Sequence, residues 1–252
     1  MNQIQLYEQN NNAILVREEL DVAITTAKAY PRNIEMVLNE VQTQISIDPN
    51  IAKGMWYTFP RGNNIIEGPS MRLAEVFLSC WGNLRVQGRI KEISDTYVIA
   101  EAVVFDMERN TAVCKEARRK IINKDGVRFN EDMIQLTAQG AISIAIRNAL
   151  FTIIPRIFVM RALQYAKEIA FKHPKERTKS VQELFNDAVR EFSKFKISKE
   201  QLLEHLQRSE DNISNDDIIY LRGIYNAIKD GELKPNDIIN SKREESNNET
   251  DL

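Results

Sequence analysis

The spacing of apolar residues is the feature of this sequence that most constrains its fold. It changes near residue 84 from three or four positions, typical of a helix, to two positions, typical of a strand, and changes back near residue 130. The segments Leu84–Ile93, Thr96–Met107 and Thr111–Asn123 combine β-branched side chains with short turn-like breaks between them. Three consecutive strands with such short connections form an antiparallel meander, because each strand can pair with the one before it. The middle of the chain is therefore predicted to be a three-stranded β-meander.

Helices are predicted on both sides of the meander. The segment Glu18–Gln44 has apolar residues three and four positions apart, and Pro31 should break it into two helices. Pro69 suits the first position of another helix, which runs to Trp81. Asp132–Phe151 carries small residues that permit close packing on a sheet, and a further helix follows at Ile157–Phe171. This order predicts an α+β fold, an antiparallel β-meander packed with helices in a β-β-β-α core.

A small helical module is predicted at the C-terminal end. Short helices are expected at Val181–Phe195, Ser198–Gln207 and Ser214–Lys229, because serine precedes two of them with the spacing of a helix cap. Polar, turn-prone residues precede this module, and few apolar residues follow it. The predicted domains are an N-terminal helical arm (1–52), an α+β core (53–173), a linker (174–180), a helical module (181–239) and a disordered acidic tail (240–252).

Composition excludes several classes of protein. The chain is 43% hydrophobic and 28% charged with nine Gly and seven Pro, which excludes collagen-like, low-complexity and disulfide-scaffold proteins. Cys80 and Cys114 form no CxxC pair and the chain has two His, which excludes a Cys/His zinc cage, so both cysteines are predicted to be reduced packing residues. Apolar runs are short and Met1–Gln9 lacks a signal pattern, so the expectation is a cytoplasmic protein without a membrane partner.

Motifs for catalysis and cofactor binding are missing from the sequence. No phosphate loop or dinucleotide fingerprint occurs, and His173 and His205 lie in or beyond the predicted linker, away from any triad pattern. The prediction is therefore a non-enzyme without a cofactor or metal. A metal-dependent nuclease is the less favoured alternative, because Glu101, Asp106 and Glu108 lie close together and hard cations prefer carboxylates.

Charge is distributed unevenly along the chain. Residues 53–180 carry 21 basic and 13 acidic side chains, whereas both flanking segments are acidic overall. The densest basic stretch runs from residue 109 to residue 128, with seven basic residues against two acidic ones. A basic centre between acidic ends indicates a polyanion as partner.

The third predicted strand carries the strongest signal for binding. Strand alternation places Arg118 and Lys120 on one face and Lys115 and Arg119 on the other. Such a row can neutralise phosphates and release counterions, although lysines also guard exposed edge strands against aggregation. The predicted phosphate-binding residues are Lys115, Arg118, Arg119, Lys120, Lys124 and Arg128, with Arg147 and Arg156 extending the track.

An aromatic run precedes the first core helix. Trp56, Tyr57 and Phe59 lie within four residues and are followed by Pro60 and Arg61, which predicts a loop or short hairpin. Aromatic faces beside a positive charge suit the binding of single strands, since bases stack on such faces. Aromatic residues also commonly form core, so both readings of the run stay open.

The segments that surround these features resemble a group of phage proteins and, through them, phage single-strand annealing recombinases of the Erf and RecT/Redβ type. The resemblance covers roughly residues 50–170 and is carried by Tyr57–Gly62, Glu67–Glu75, Trp81–Asn83, Leu136–Gly140 and Arg147–Ala149. It implies a β-meander followed by a helix, ATP-independent pairing of complementary strands, and assembly into a homo-oligomeric ring or filament. It also implies that the C-terminal module contacts a host single-strand-binding protein or a phage exonuclease, and that a phage-encoded protein of this kind is in the host cytoplasm.

The combined hypothesis is a non-enzymatic protein of phage recombination that binds and anneals single-stranded DNA. The basic residues would hold the backbone of one strand, and Trp56, Tyr57 or Phe59 would stack its bases or order the groove. Helices would form contacts between subunits, because one domain offers few phosphate contacts and repetition multiplies them. The alternative of a different class is a nucleic-acid-binding adaptor to replication or defence proteins that does not anneal strands.

Overall fold

A computed structural model describes residues 17–61, 64–123, 125–172 and 179–239 of the chain. The helices are α1 (17–29), α2 (Ile34–Ile47), α3 (Pro49–Ala52), α4 (Met71–Trp81), α5 (Glu131–Ile153), α6 (Arg156–Lys172), α7 (Val181–Ser193), α8 (Lys199–Leu206), α9 (Asn215–Lys229) and α10 (Pro235–Ile239), with a 3₁₀ turn at Glu210–Asn212. The strands are β1 (Trp56–Arg61), β2 (Asn64–Pro69), β3 (Leu84–Ile93), β4 (Tyr97–Asp106) and β5 (Thr111–Lys120). The predicted α+β class, with a β-meander followed by a helix, is confirmed.

The chain forms two compact units that do not follow the predicted domain boundaries. Each unit is made of two segments of the chain. The first unit contains the residues up to Asn39 together with Phe77–Pro155, and the second contains Glu40–Val76 together with the residues from Arg156 onward. The predicted core 53–173 is therefore divided, because its first hairpin belongs with the C-terminal helices. The predicted tail, 240–252, and all of the predicted linker except Lys179 and Ser180 lie outside the described residues.

The first unit is built on the sheet β3-β4-β5, in which both pairs of neighbours are antiparallel. Alternate residues of β4 from Val98 to Asp106 are buried, and α5 packs on this face of the sheet. Gly88 lies beneath α5, and a Cβ at this position would come within 2.7 Å of Ile142 Cγ2. The helix can therefore approach the sheet closely. The small residues Ala141 and Ala145 on its buried face permit the same close approach.

An arginine in the break between α1 and α2 is held inside the first unit. Pro31 interrupts the helical segment as predicted, and Asn33 begins α2 by accepting the N–H of Met36. Arg32 donates to both oxygens of Asp106 at 2.6 and 2.7 Å, and the two side chains are 3% and 4% exposed. Its guanidinium also lies 5.2 Å from the centre of the Trp81 ring.

The second unit contains the hairpin β1–β2 and the helices α3 and α6–α10. Leu184, Phe185, Leu221 and Ile224 belong to a core cluster that joins α7, α8, α9 and α10. The predicted caps at Ser198 and Ser214 are present, and Ser180 caps α7 in the same way. Three of the helices therefore begin where local sequence spacing places them.

Two local predictions are wrong. Pro69 is the last residue of β2 rather than the first of a helix, and Ser70 precedes α4 and accepts the N–H of Arg72. Cys114 is exposed on β5, whereas Cys80 is buried as predicted. Cys114 is exposed because it lies on the edge strand β5 and on the face of the sheet that α5 does not cover.

In the part of the chain that the structure describes, no single helix is long and apolar enough to cross a membrane, and only the bent pair α5 and α6 reaches that length and composition together.

Candidate nucleic-acid interface

The register of β5 decides where its basic side chains lie. Lys115 pairs with Ala102 and Arg119 with Val98, which places both on the α5 side of the sheet. Arg118 pairs with Ile99 and Lys120 with Tyr97, which places them on the opposite face. The alternation predicted from the sequence is therefore confirmed. Because β5 is an edge strand, both groups line one edge of the sheet.

The sheet face opposite α5, called the outer face below, combines cations with half-exposed apolar side chains. Its positions follow from the register of the three strands and from the burial of the other face beneath α5. The cations of the outer face are Arg85 and Arg89 on β3, Arg118 and Lys120 on β5, and Lys91, which lies at a bulge in β3 and is placed on this face by its ion pairs with Glu101 and Glu116. The apolar and aromatic side chains of β4 on this face are Tyr97, Ile99, Val103 and Phe105. Each of these four residues of β4 remains partly accessible to solvent.

One arginine of the outer face stacks on an aromatic ring. The guanidinium carbon of Arg118 lies 3.6 Å from the centre of the Tyr97 ring, within the range of a cation–π interaction. The Tyr97 hydroxyl donates to Glu92 Oε1 at 2.9 Å, which fixes the ring. Stacking uses the flat face of the guanidinium and leaves its N–H groups at the edge free to donate to an anion.

Carboxylates neutralise part of this face. Arg89 pairs with Glu101 at 2.7 Å, and Lys91 pairs with Glu101 at 3.7 Å and with Glu116. The hydrogen bond from Arg89 lowers the pKa of Glu101, so this carboxylate stays charged. Among the described residues, Arg85, Arg118 and Lys120 form no ion pair, and these three cations are available to a phosphate chain.

Other residues of the predicted basic track have different roles. Arg128 donates to the carbonyl of Ser94 at 2.7 Å and braces the turn between β3 and β4. Arg147 is 5% exposed and donates to Asn148, so the prediction that it extends a solvent-facing track is wrong. Arg156 is exposed but belongs to the second unit, and Lys124 lies outside the described residues.

The aromatic run was predicted to be a loop or a short hairpin, and it forms strand β1 of a hairpin. Trp56, however, is not available for stacking. Trp56 is fully buried and its indole N–H donates to the carbonyl of Ile219 at 3.3 Å, so the stacking role predicted for this ring is wrong. Tyr57 and Phe59 stack on each other with ring centres 5.7 Å apart and pack against the C-terminal core cluster. Arg61 ends β1, and its side chain lies outside the described part.

The carboxylates behind the nuclease alternative are engaged in ion pairs. Arg32 binds both oxygens of Asp106, and its Nε lies 3.1 Å from Glu108 Oε2. Glu101 lies on the outer face, whereas Asp106 is buried on the α5 side. Within the described ranges no group of three metal-ligating side chains converges. The geometry therefore gives no support to a metal-dependent nuclease at these three residues.

Sequence reasoning missed the contribution of β3 and β4 to the outer face. Arg85 and Arg89 alternate with Val86 and Ile90, a period of two that places both cations on one face, and Lys91 follows at a bulge. That signal was present in the sequence. The contribution of β4 was harder to predict, because most residues on both of its faces are apolar. The sequence of the strand therefore does not show which face a helix covers.

Comparison of the chain with models of protein families, with curated proteins and with solved structures found no match.

Proposed function

We propose that the protein binds single-stranded DNA on the outer face and promotes the pairing of complementary strands without ATP in phage recombination. The observation that carries the proposal is the presence of three cations without carboxylate partners, Arg85, Arg118 and Lys120, on both sides of a half-exposed aromatic strand. Phosphates would contact the cations, and bases would lie on the apolar centre.

The chemistry of the outer face suits a single strand better than a duplex. A single strand exposes base faces that can stack on Phe105, whereas in a duplex these faces are already stacked. One sheet supplies few phosphate contacts, so we also propose that several copies act along one strand as a homo-oligomer.

Removing the three unpaired cations tests this proposal. The variant Arg85→Ala/Arg118→Ala/Lys120→Ala should bind an oligo(dT) more weakly, and the slope of log affinity against log salt concentration should fall by about 2, since each phosphate contact on a single strand contributes about 0.7. Fluorescence anisotropy across a salt series measures both quantities.

The matched control removes three cations from exposed positions on the C-terminal helices and loops. Arg190→Ala/Arg208→Ala/Lys234→Ala changes the net charge equally but leaves the outer face intact. An unchanged slope in the first variant, or an equal loss in both variants, would contradict binding on the outer face. An oligo(U) of the same length shows whether the surface prefers DNA.

The aromatic contribution gives a separate prediction. Phe105→Ala should weaken oligo(dT) binding by about 1–3 kcal/mol, the contribution of one stacked base, and should leave the salt slope unchanged because no charge is lost. Tyr30→Ala is the control, since Tyr30 is a 77% exposed aromatic residue of the same unit that belongs to no strand of the sheet. Equal affinity of Phe105→Ala and wild type would show that Phe105 stacks no base.

Annealing is distinguished from binding alone by kinetics. Two complementary oligonucleotides with a donor and an acceptor dye should pair faster in the presence of the protein and without ATP. Binding without faster pairing would instead indicate the adaptor alternative.

A further inference from the structure

A cleft of about 420 Å³ in the second unit is lined by basic side chains from three segments. Lys53 follows α3, Arg72 lies in the first turn of α4, and Arg222 and Lys229 lie on α9. Glu191 of α7 is the acidic residue of the lining. We call this the basic cleft. All of these residues belong to the second unit, so the basic cleft is independent of the outer face.

One wall of the basic cleft is a fixed arginine. Arg72 donates to the carbonyl of Gly54 at 3.3 Å, and the Ser70 hydroxyl donates to the same carbonyl at 2.7 Å. A Cβ at Gly54 would lie 2.8 Å from Arg72 Cδ, so only glycine lets this side chain lie across the backbone. Asp230 lies 3.5 Å from Arg72 and holds the guanidinium only weakly. The arginine is thus positioned before any ligand arrives.

The second wall is joined to the first by a buried amide. Asn226 is 4% exposed, and its side chain donates to the carbonyls of Lys53 and Trp56 at 2.8 Å each. These two bonds hold the segment that carries Lys53 against α9, the helix that carries Arg222 and Lys229. The cations therefore lie on backbone segments that are braced against each other.

Carboxylates neutralise only part of the charge of the basic cleft, because Asp230 pairs with Arg72 and Glu191 interacts with both Lys194 and Arg222. Glu191 is engaged by Lys194 at 2.7 and 2.8 Å, and the hydrogen bond from Lys194 is the main cause of its lowered pKa. The Tyr225 hydroxyl donates to Glu191 as well, and burial together with this bond raises the pKa of the tyrosine, which stays protonated. In the described part of the chain, Arg222 and Lys229 form no ion pair.

We propose that the basic cleft binds a phosphate group. Four cations line a cleft of about 420 Å³, and arginine and lysine N–H groups form charge-assisted hydrogen bonds to phosphate oxygens. A carboxylate of an acidic peptide is less suited, because it offers two acceptor oxygens and one charge to these donors, whereas a phosphate monoester offers three oxygens and a larger charge. The phosphate can belong to a free phosphorylated compound or to the backbone of a nucleic acid.

Titration of the full chain with inorganic pyrophosphate, followed by calorimetry, tests the proposal. Arg222→Gln/Lys229→Gln removes the two unpaired cations and retains good helix-forming residues, so the fold should survive. We expect its affinity for pyrophosphate to fall by about tenfold or more, since each lost side chain removes a hydrogen bond to a charged group. Arg190→Gln/Lys234→Gln is the matched control and should bind as wild type does.

The source of the phosphate is decided with the same variants. If Arg222→Gln/Lys229→Gln also weakens the binding of an oligo(dT) without terminal phosphates, the ligand is the backbone; if only pyrophosphate binding falls, it is a free phosphorylated compound. The outer-face variant Arg85→Ala/Arg118→Ala/Lys120→Ala should bind pyrophosphate normally, which separates this test from that of the proposed function. Absence of pyrophosphate binding, equal binding by the cleft variant, or equal affinity for a glutamate-rich peptide would overturn the proposal.

Discussion

Arg32→Met is expected to destabilise the first unit by about 3–5 kcal/mol, the typical cost of removing one partner from a buried ion pair. Methionine fills much of the space but leaves the Asp106 carboxylate, of which 4% is exposed, without its two strongest hydrogen bonds. Backbone N–H groups of Glu108 and Arg109 continue to donate to Asp106, but they cannot supply the lost charge. A loss of this size is a large fraction of the stability of a typical domain.

The effect should depend on pH. Burial acts to raise the pKa of Asp106, but the hydrogen bonds and charge of Arg32 outweigh it and lower the pKa below its usual value. A lowered pKa contributes stability above the pKa of the unfolded chain, about 3.9 for Asp, and this contribution is lost as pH falls through the folded value. The difference between wild type and Arg32→Met should therefore be largest near neutral pH and shrink on acidification.

The two tryptophans allow the first unit to be followed by itself. Trp81 lies in the first unit and Trp56 in the second, so a Trp56→Phe background makes guanidinium denaturation monitored by fluorescence report on the first unit. Lys28→Met, at an exposed position of α1, controls for loss of a surface cation. In the double variant Arg32→Met/Asp106→Asn, part of the stability should return because the most deeply buried charge, that of Asp106, is also removed. A loss no greater than that of Lys28→Met would contradict a structural role for this pair.

Gly223→Ala is expected to destabilise the second unit, although alanine is the better helix former. A Cβ at Gly223 would lie 2.6 Å from the Cβ of Thr58 and 3.0 Å from its backbone nitrogen. Helix α9 crosses strand β1 at this point, and Thr58 is 1% exposed, so neither side can yield without moving backbone. Overpacking costs about 1–3 kcal/mol and occasionally more. Because the clash involves backbone, we place the cost at the upper end of this range and expect a net loss of about 1–2 kcal/mol after the roughly 1 kcal/mol that alanine gains in helix propensity.

Gly140→Ala is the matched control and should have the opposite sign. Gly140 lies inside α5, and a Cβ there would meet no atom within 4 Å, so the substitution should stabilise by about 0.5–1 kcal/mol. Fluorescence of Trp56 in a Trp81→Phe background reports on Gly223→Ala, and Thr58→Ala should restore part of the loss by removing the hydroxyl nearest the new methyl group. Stabilisation by Gly223→Ala would mean that α9 and β1 do not approach this closely.

Much of the secondary structure was predictable because its signals are local. The break at Pro31, the alternation of β3 and the serine caps of α8 and α9 each depend on residues within a few positions of one another. The wrong assignment of Pro69 had a different origin. Proline fits both the first turn of a helix and the end of an edge strand, and pairing of Pro69 with Trp56 selected the strand.

The candidate interface was predictable in part. Alternation placed Arg118 and Lys120 on one face correctly, since strand geometry alone determines which residues share a face. Burial of Trp56 and Arg147 could not be read in the same way. Trp56 is buried against α9, more than 150 positions away in the sequence, and no local pattern records that contact.

The amino-acid sequence by itself determined the helices, the β-meander and the alternation of charge along the strand β5, because the dihedral preferences and side-chain periodicities behind them act over a few residues. Tertiary structure alone decided which sheet face α5 covers, and therefore which basic residues remain open to a phosphate chain. It also decided that the hairpin β1–β2 joins the C-terminal helices and that Arg72, Arg222 and Lys229 meet at one cleft. These outcomes depend on burial and on contacts between distant segments, which form only when the whole chain packs.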